Sequence, residues 1–169
     1  MFLVPSDFTG EYQLGGNPLQ TTNFQIYINK LEKKYLTDLL GVELYNLFIA
    51  DLDVNFYPQL PIYQAIYEEI EEDSQYGTGC QHRSLGMIEM LKGFIYYHWL
   101  RDQFTTKTIS GAVKNEFSNS QPATMSQTNM DEKYNESVCM YNAIKWYINE
   151  NKIDYPDYNG IEKCSITWL

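Results

Sequence analysis

The chain has 169 residues, of which 44% are hydrophobic, and this is enough apolar material for one domain with a buried core. The formal net charge of -10, with only 12 scattered Lys and Arg residues, argues against tight DNA or RNA binding, because that binding needs clustered cations. There is no apolar run long enough to span a membrane and no signal-like leader at residues 1–7, so a soluble protein that is not secreted is expected.

An extended N-terminal arm is predicted over residues 1–22. Prolines and glycines punctuate this stretch and forbid a long helix, while its apolar side chains allow it to dock onto a surface. Phe2 and Phe8 are the arm residues expected to dock on a partner.

Helices are predicted over most of residues 23–104. The first runs from Asn23, a suitable N-cap, to Gly41, a suitable C-cap, and turns Lys30, Glu32, Lys33 and Lys34 away from its apolar stripe. A second, shorter helix follows the corner at Gly41, and a third is predicted over 62–73. The end of the third helix is acidic, which opposes the helix dipole and should fray the last turn. The apolar stripe of the second helix is predicted to be Val42, Tyr45, Phe48, Ile49 and Leu52.

The most apolar segment, 84–104, predicts a central helix packed on several sides, and its charged residues argue against a membrane span. A last long helix is predicted over 130–151. The C-terminal tail, 152–169, ends in Trp168 and Leu169, which are predicted to dock on the core or on a neighbour. The predicted fold class is therefore all-α: one domain, a helical bundle of about five helices with extended N- and C-terminal arms.

A long polar connection, 105–129, separates the two strongest helix predictions. Connections of more than about 12 to 15 residues are uncommon in a compact domain unless they are functional or disordered. In its first half Ile109, Val113 and Phe117 alternate with polar residues around Gly111, which is typical of an extended strand. A lone strand in a helical chain has unpaired backbone groups, so pairing across a subunit boundary is expected. Residues 118–127 are predicted to form a looser return limb.

Side chains that could carry chemistry are sparse. Cys80 and His82 are two potential metal ligands without a second pair, and Cys139 is read as a small core residue. His98 has Asp102 one turn later, as in an oriented general base, but no nucleophile motif accompanies the pair. A structural contact is the expected role of His98, and no catalytic, cofactor-binding or metal-binding residue is predicted.

Four blocks of sequence carry a resemblance to a known family. They are KLEKKYLTDLLGVELYNLF at 30–48, YYHWLRD at 96–102, GAVK at 111–114 and YN at 141–142. In this order they resemble proteins of Bacteroidetes phages and prophages that are similar to tailed-phage head-tail connectors, and within that group a neck ring protein of the crAss-like phages. The resemblance covers roughly residues 8–156, and the tail beyond them fits no part of it.

The resemblance implies a structural virion protein of the neck, present in the host cytoplasm during assembly. Such proteins form a homo-oligomeric ring, typically of twelve copies, that contacts the portal protein and tail or neck ring proteins, with no cofactor. The extended segment between the last two helices reaches the neighbouring subunit, which makes Ile109, Gly111, Val113 and Phe117 the candidate interface residues. DNA is expected to pass through the ring without tight binding, and the acidic residues at 68–73 could line that channel or face solvent.

Three alternatives remain open from the sequence. The first is another neck tier, such as a stopper or a tail-completion protein. The second, from a different class, is a small helical enzyme that uses His98 and Asp102. The third is a host-directed interaction module that acts as a monomer.

Overall fold

A computed structural model of the chain describes residues 2–13, 18–71, 83–108, 111–114 and 124–161. Two 3-10 turns, Pro5–Asp7 and Gly10–Tyr12, precede the helices. The described residues form five α-helices and two short antiparallel strand pairs, which confirms the predicted all-α bundle with extended arms. The elements are α1 (Pro18–Leu40), α2 (Val42–Ala50), α3 (Pro61–Tyr67), β1 (Ile70–Glu71), β2 (Arg83–Ser84), α4 (Met87–Phe104), β3 (Thr105–Thr108), β4 (Gly111–Lys114) and α5 (Thr124–Glu150).

The core forms around α4, as the apolar character of this segment predicts. The helix packs against α1 on one side and α5 on another, so apolar residues around much of its circumference are excluded from water. Its start lies at Met87 rather than at residue 84, because Ser84 pairs in β2 and Gly86 adopts a left-handed φ of +98°. The fully buried residues of α4 are Met87, Met90, Leu91, Phe94 and Ile95.

Helices α4 and α5 lie close together at Gly93. A Cβ atom at this position would lie 2.0 Å from Ser137 Oγ and 2.9 Å from the carbonyl oxygen of Lys133. Ser137 is itself fully buried and donates its hydroxyl to that same carbonyl at 3.0 Å. The absence of a side chain at Gly93 therefore sets how tightly these two core helices pack.

Three further predicted helix boundaries are wrong. Helix α1 begins at Pro18 rather than after Asn23, because proline has no amide hydrogen to lose in the first turn and its fixed φ suits a helix start. Helix α3 ends at Tyr67 rather than at 73, since the chain becomes extended at Glu68 and pairs as β1. Helix α5 begins at Thr124, so part of the predicted return limb is helical.

Two predicted helix faces also need correction. In α2 the buried residues are Leu44 and Phe48, four positions apart, while Val42 and Ile49 are exposed because only one side of this short helix meets the core. In α1 the carboxylate of Glu32 is buried, although the residue was predicted to face solvent.

The C-terminal segment folds back onto the end of α1. The amide of Ile161 donates to the carbonyl of Asp38 at 2.8 Å, and the hydroxyl of Tyr141 on α5 donates to the carbonyl of Ile161 at 2.7 Å. Helix α1 leaves its last carbonyls without intrahelical partners, and this segment supplies one of the missing donors. Gly160 is required at the contact, since a Cβ there would lie 1.9 Å from the carbonyl oxygen of Leu39.

No helix within the described ranges is both long and apolar enough to cross a membrane.

Candidate functional site

The segment predicted to be a single strand is an antiparallel pair. Strands β3 and β4 pair with Thr105 opposite Lys114 and Thr108 opposite Gly111. Strand β3 follows the last residue of α4 directly, and nine residues separate the end of β4 from the start of α5. The expectation of a lone strand was therefore wrong: β3 has its partner within the same chain. Two residues, 109 and 110, separate the strands, a separation typical of a hairpin.

The predicted interface residues divide between described and undescribed parts of the chain. Gly111 opens β4, and Val113 lies opposite Thr106 in the strand pair. Ile109 and Phe117 lie outside the described residues. The structure thus brings two of the four candidates into one strand.

Each strand of this hairpin has one edge that faces its partner and one that faces away. Among the described residues β3 and β4 form a sheet of two strands only. An isolated two-stranded hairpin is marginally stable in water, and its outer edges present backbone donors and acceptors to any strand that can pair with them. Within the described part of the chain, each of the two strands therefore has one edge without a strand partner.

The polar residues near the end of α4 connect it to α1. His98 Nε2 lies 2.5 Å from the hydroxyl of Tyr35, and the hydroxyl of Tyr27 donates to Asp102 at 2.7 Å. Partial burial raises the pKa of Asp102, but hydrogen bonds from Tyr27 and Arg101 outweigh this and hold the pKa below its ordinary value. Both proposed enzyme residues thus have tyrosine partners on α1, which fits the structural role predicted for His98.

The N-terminal arm docks on its own chain. Phe8 is buried against Phe24 of α1, with ring centroids 4.8 Å apart, and Phe2 stacks on Phe48 of α2 at 6.0 Å. Because its side chain is buried within its own chain, Phe8 is not available to contact a neighbouring protein, contrary to the prediction that it docks on a partner. The other two docking candidates, Trp168 and Leu169, lie outside the described residues.

Glu32 is the residue that sequence periodicity missed at this contact. Its Oε1 accepts a hydrogen bond from the amide of Leu3 at 2.6 Å, and this contact is buried between the arm and α1. Burial raises the pKa of the Glu32 carboxyl, although the amides of Leu3 and Phe2 and the positive amino terminus act to lower it. Because three lysines lie within two positions of Glu32 in the sequence, the pattern predicts that Glu32 belongs to a solvent-exposed face.

We expect Glu32→Gln to change how stability depends on pH. Because the folded-state pKa of Glu32 lies above its unfolded value, the folded protein holds more protons than the unfolded chain between these two values, and stability falls as pH rises through this window. Glutamine keeps an oxygen for the amide of Leu3 but carries no charge. The free energy of unfolding of the variant, relative to the wild type, should therefore increase as pH rises.

Urea denaturation of both proteins at several pH values between about 4 and 8 measures this difference. Glu43→Gln, which removes a charge from the exposed side of α2, is the matched control and should show no such trend. A difference between Glu32→Gln and the wild type that stays constant or decreases with pH would contradict the expected effect.

The two potential metal ligands named from the sequence, for which no metal site is predicted, are not described by the structure. Cys80 and His82 lie outside the described residues. Within the described part, no group of three or more His, Cys, Asp or Glu side chains is arranged to hold a metal ion. Cys139 is half-buried on α5 rather than fully inside the core.

The acidic segment at 68–73 does not form one helical face. Glu69 and Glu71 flank Ile70 of β1, and both lie 3.4 Å from the guanidinium of Arg83 on the opposite strand. All three side chains are at least half exposed, so these ion pairs stabilise the fold little. Residues 72 and 73 lie outside the described part of the chain.

Comparisons with known proteins test whether the chain has a recognisable relative. A scan against protein-family models, a search of curated proteins and a search of solved structures all return no match. Function is therefore inferred from the contacts described above and from the sequence blocks at 30–48, 96–102, 111–114 and 141–142.

Proposed function

We propose that the chain is a structural protein of a phage neck, a head-tail connector that forms a homo-oligomeric ring between the portal protein and tail components. The observation that carries the proposal is the β3–β4 hairpin, which follows α4 directly and in which, among the described residues, each strand has a partner on one edge only. When an outer edge of the hairpin pairs with a strand of the neighbouring subunit, backbone hydrogen bonds link the two helical subunits. Repeated head to tail, such a contact closes into a ring at a fixed rotation.

Exposed apolar side chains supply a second surface for contact with other neck components. They concentrate between residues 42 and 62, in α2 and in the connection to α3, and the most exposed member of this group is Val54, at 92%. Apolar surface of this kind marks protein contact sites when its members are contiguous. The residues are Val42, Leu47, Ile49, Val54, Phe56, Tyr57, Leu60 and Ile62.

The charge of the chain supports passage of DNA rather than its capture. A net charge of -10 repels phosphate, and repulsion is felt over about 8 to 10 Å at physiological ionic strength. In the proposed ring, acidic side chains facing the lumen would therefore keep the packaged DNA from adhering to the wall.

Mass measurement of the purified chain tests the proposal. We expect a closed oligomer, typically of twelve copies, either for the chain alone or after addition of a portal protein from the same phage. Native mass spectrometry counts the copies directly. A chain that remains monomeric under both conditions would overturn the ring assignment and favour the monomeric interaction module.

A further inference from the structure

The outer face of α1 carries a cluster of positive charges. Its exposed side chains recur at spacings of three and four residues, on the side of the helix that faces away from the buried residues. One apolar side chain, that of Ile26, is 64% exposed on the same face. The basic stripe, as this surface is called below, consists of Ile26, Lys30, Lys33 and Lys34.

The lysines of the basic stripe differ from four other cations of the chain. Arg83, Lys92, Arg101 and Lys133 each lie within 3.4 Å of a carboxylate of the same chain. In the ranges that the structure describes, no ion pair joins a lysine of the basic stripe to a carboxylate. The basic stripe can therefore attract an acidic surface of another molecule.

The loop between α2 and α3 holds two carboxylates beside an exposed apolar side chain. Asp51 accepts the amide of Gln59 at 2.8 Å, and Asp53 accepts that of Tyr57 at 2.9 Å. The bond from Tyr57 also holds the pKa of Asp53 below its ordinary value, so Asp53 is charged at neutral pH. Val54 follows directly and is 92% exposed. The backbone hydrogen bonds thus fix negative charge and apolar surface together.

Two further carboxylates lie beside this loop, and both are exposed. Glu68 accepts a hydrogen bond from the hydroxyl of Tyr57. Asp157 comes close to Asp51 at Tyr63: burial raises the pKa of the Tyr63 hydroxyl, and the negative charges of Asp51 and Asp157 raise it further. The acidic face, as this second surface is called below, consists of Asp51, Asp53, Val54, Glu68 and Asp157.

We propose that the acidic face of one copy of this chain contacts the basic stripe of the next copy. The two surfaces have opposite charge, and each contributes one exposed aliphatic side chain, Val54 on one and Ile26 on the other. Two copies with a net charge of -10 repel each other at long range, so a contact between them is favoured where it brings opposite charges together. Pairing two different surfaces makes the contact head to tail.

This inference rests on the proposed ring, because it names a second contact between the same subunits. The hairpins supply backbone hydrogen bonds, and the charged surfaces supply orientation, since like charges oppose any other alignment of two copies. The remaining exposed apolar residues at 42–62 stay available to other neck components.

Reversal of charge on each side tests the contact. Lys30→Glu/Lys33→Glu reverses the basic stripe, Glu68→Lys/Asp157→Lys reverses the acidic face, and a fourfold variant combines them. All four side chains are exposed, so circular dichroism and urea denaturation should show folded proteins. We expect each double variant to assemble at least about tenfold more weakly than the wild type, and the fourfold variant to recover.

Sedimentation velocity at low and high ionic strength measures assembly, with portal protein added if the wild type needs it. Wild-type assembly should weaken as salt increases, because exposed charges are screened. The Glu68→Lys/Asp157→Lys variant separates a specific contact from net charge. It makes the chain less negative, so general repulsion alone predicts stronger assembly, whereas loss of the contact predicts weaker assembly.

Three results overturn the contact while leaving the ring intact. They are a double variant that assembles as the wild type does, stronger assembly of Glu68→Lys/Asp157→Lys, and a fourfold variant no better than the double variants. A wild-type chain that stays monomeric with and without the portal protein is a different result, since it overturns the ring and this contact with it.

Discussion

Gly93→Ala is expected to lower the free energy of unfolding by about 2 to 3 kcal/mol. The added methyl group would lie 2.0 Å from Ser137 Oγ and 2.9 Å from the carbonyl oxygen of Lys133, both on α5. Helix propensity acts in the opposite direction, since alanine stabilises a helix interior by about 1 kcal/mol relative to glycine. Packing outweighs propensity here because a backbone carbonyl cannot rotate away as a side chain can.

Replacement of Ser137 by alanine provides the matched test of this contact. Removing the hydroxyl relieves the closest clash, but the carbonyl of Lys133 stays in place. We therefore expect the double variant Gly93→Ala/Ser137→Ala to recover part of the stability lost by Gly93→Ala alone. Urea denaturation of the four proteins gives the coupling energy. A Gly93→Ala protein as stable as the wild type, or a purely additive cycle, would contradict the packing account.

The sequence predicted the helical bundle because apolar spacing reports which face of a helix is buried. Segment 84–104 is apolar on nearly every side, and the structure accordingly places α4 at the centre. Apolar spacing could not predict the close packing of α4 and α5 at Gly93. A single glycine in a helical pattern indicates only a locally less stable helix, not a contact with another helix. Nor could apolar spacing find Glu32, whose burial depends on an arm distant in sequence.

The hairpin was predicted only in part. Alternating polarity predicts one extended strand that continues through Gly111, whereas in the structure a second strand begins at Gly111. The residues between β3 and β4 are Ile109 and Ser110, and neither belongs to the Asn-Gly or Asp-Gly pairs that signal a two-residue turn. Without that signal, the tetrapeptides at 105–108 and 111–114 were too short to be recognised as partners.

Proline on the outer edge of the hairpin is expected to abolish assembly without unfolding the subunit. Residue pairs in an antiparallel hairpin alternate between hydrogen-bonded and non-hydrogen-bonded, and the pair that flanks a two-residue turn is the bonded one. In the observed register that pair is Thr108 and Gly111, so the backbone groups of the next pair, Lys107 and Ala112, are expected to point outward. Proline removes the amide hydrogen at such a position and is tolerated on an edge that faces away from its partner.

Lys107→Pro removes a donor from the β3 edge and Ala112→Pro removes one from the β4 edge. A head-to-tail contact between hairpins uses the β3 edge of one subunit and the β4 edge of the next, so both single variants and the double variant should become monomeric by native mass spectrometry. Circular dichroism and urea denaturation of all three should match the wild type, because the core lies in the helices.

Val113→Pro is the informative contrast, since Val113 pairs with Thr106 at a position whose amide points into the hairpin. This variant should lose the hairpin itself and therefore lose assembly whichever edge the neighbour uses. If Lys107→Pro/Ala112→Pro assembled as the wild type does, neither edge would carry the subunit contact, and the ring would have to be held by the apolar residues at 42–62.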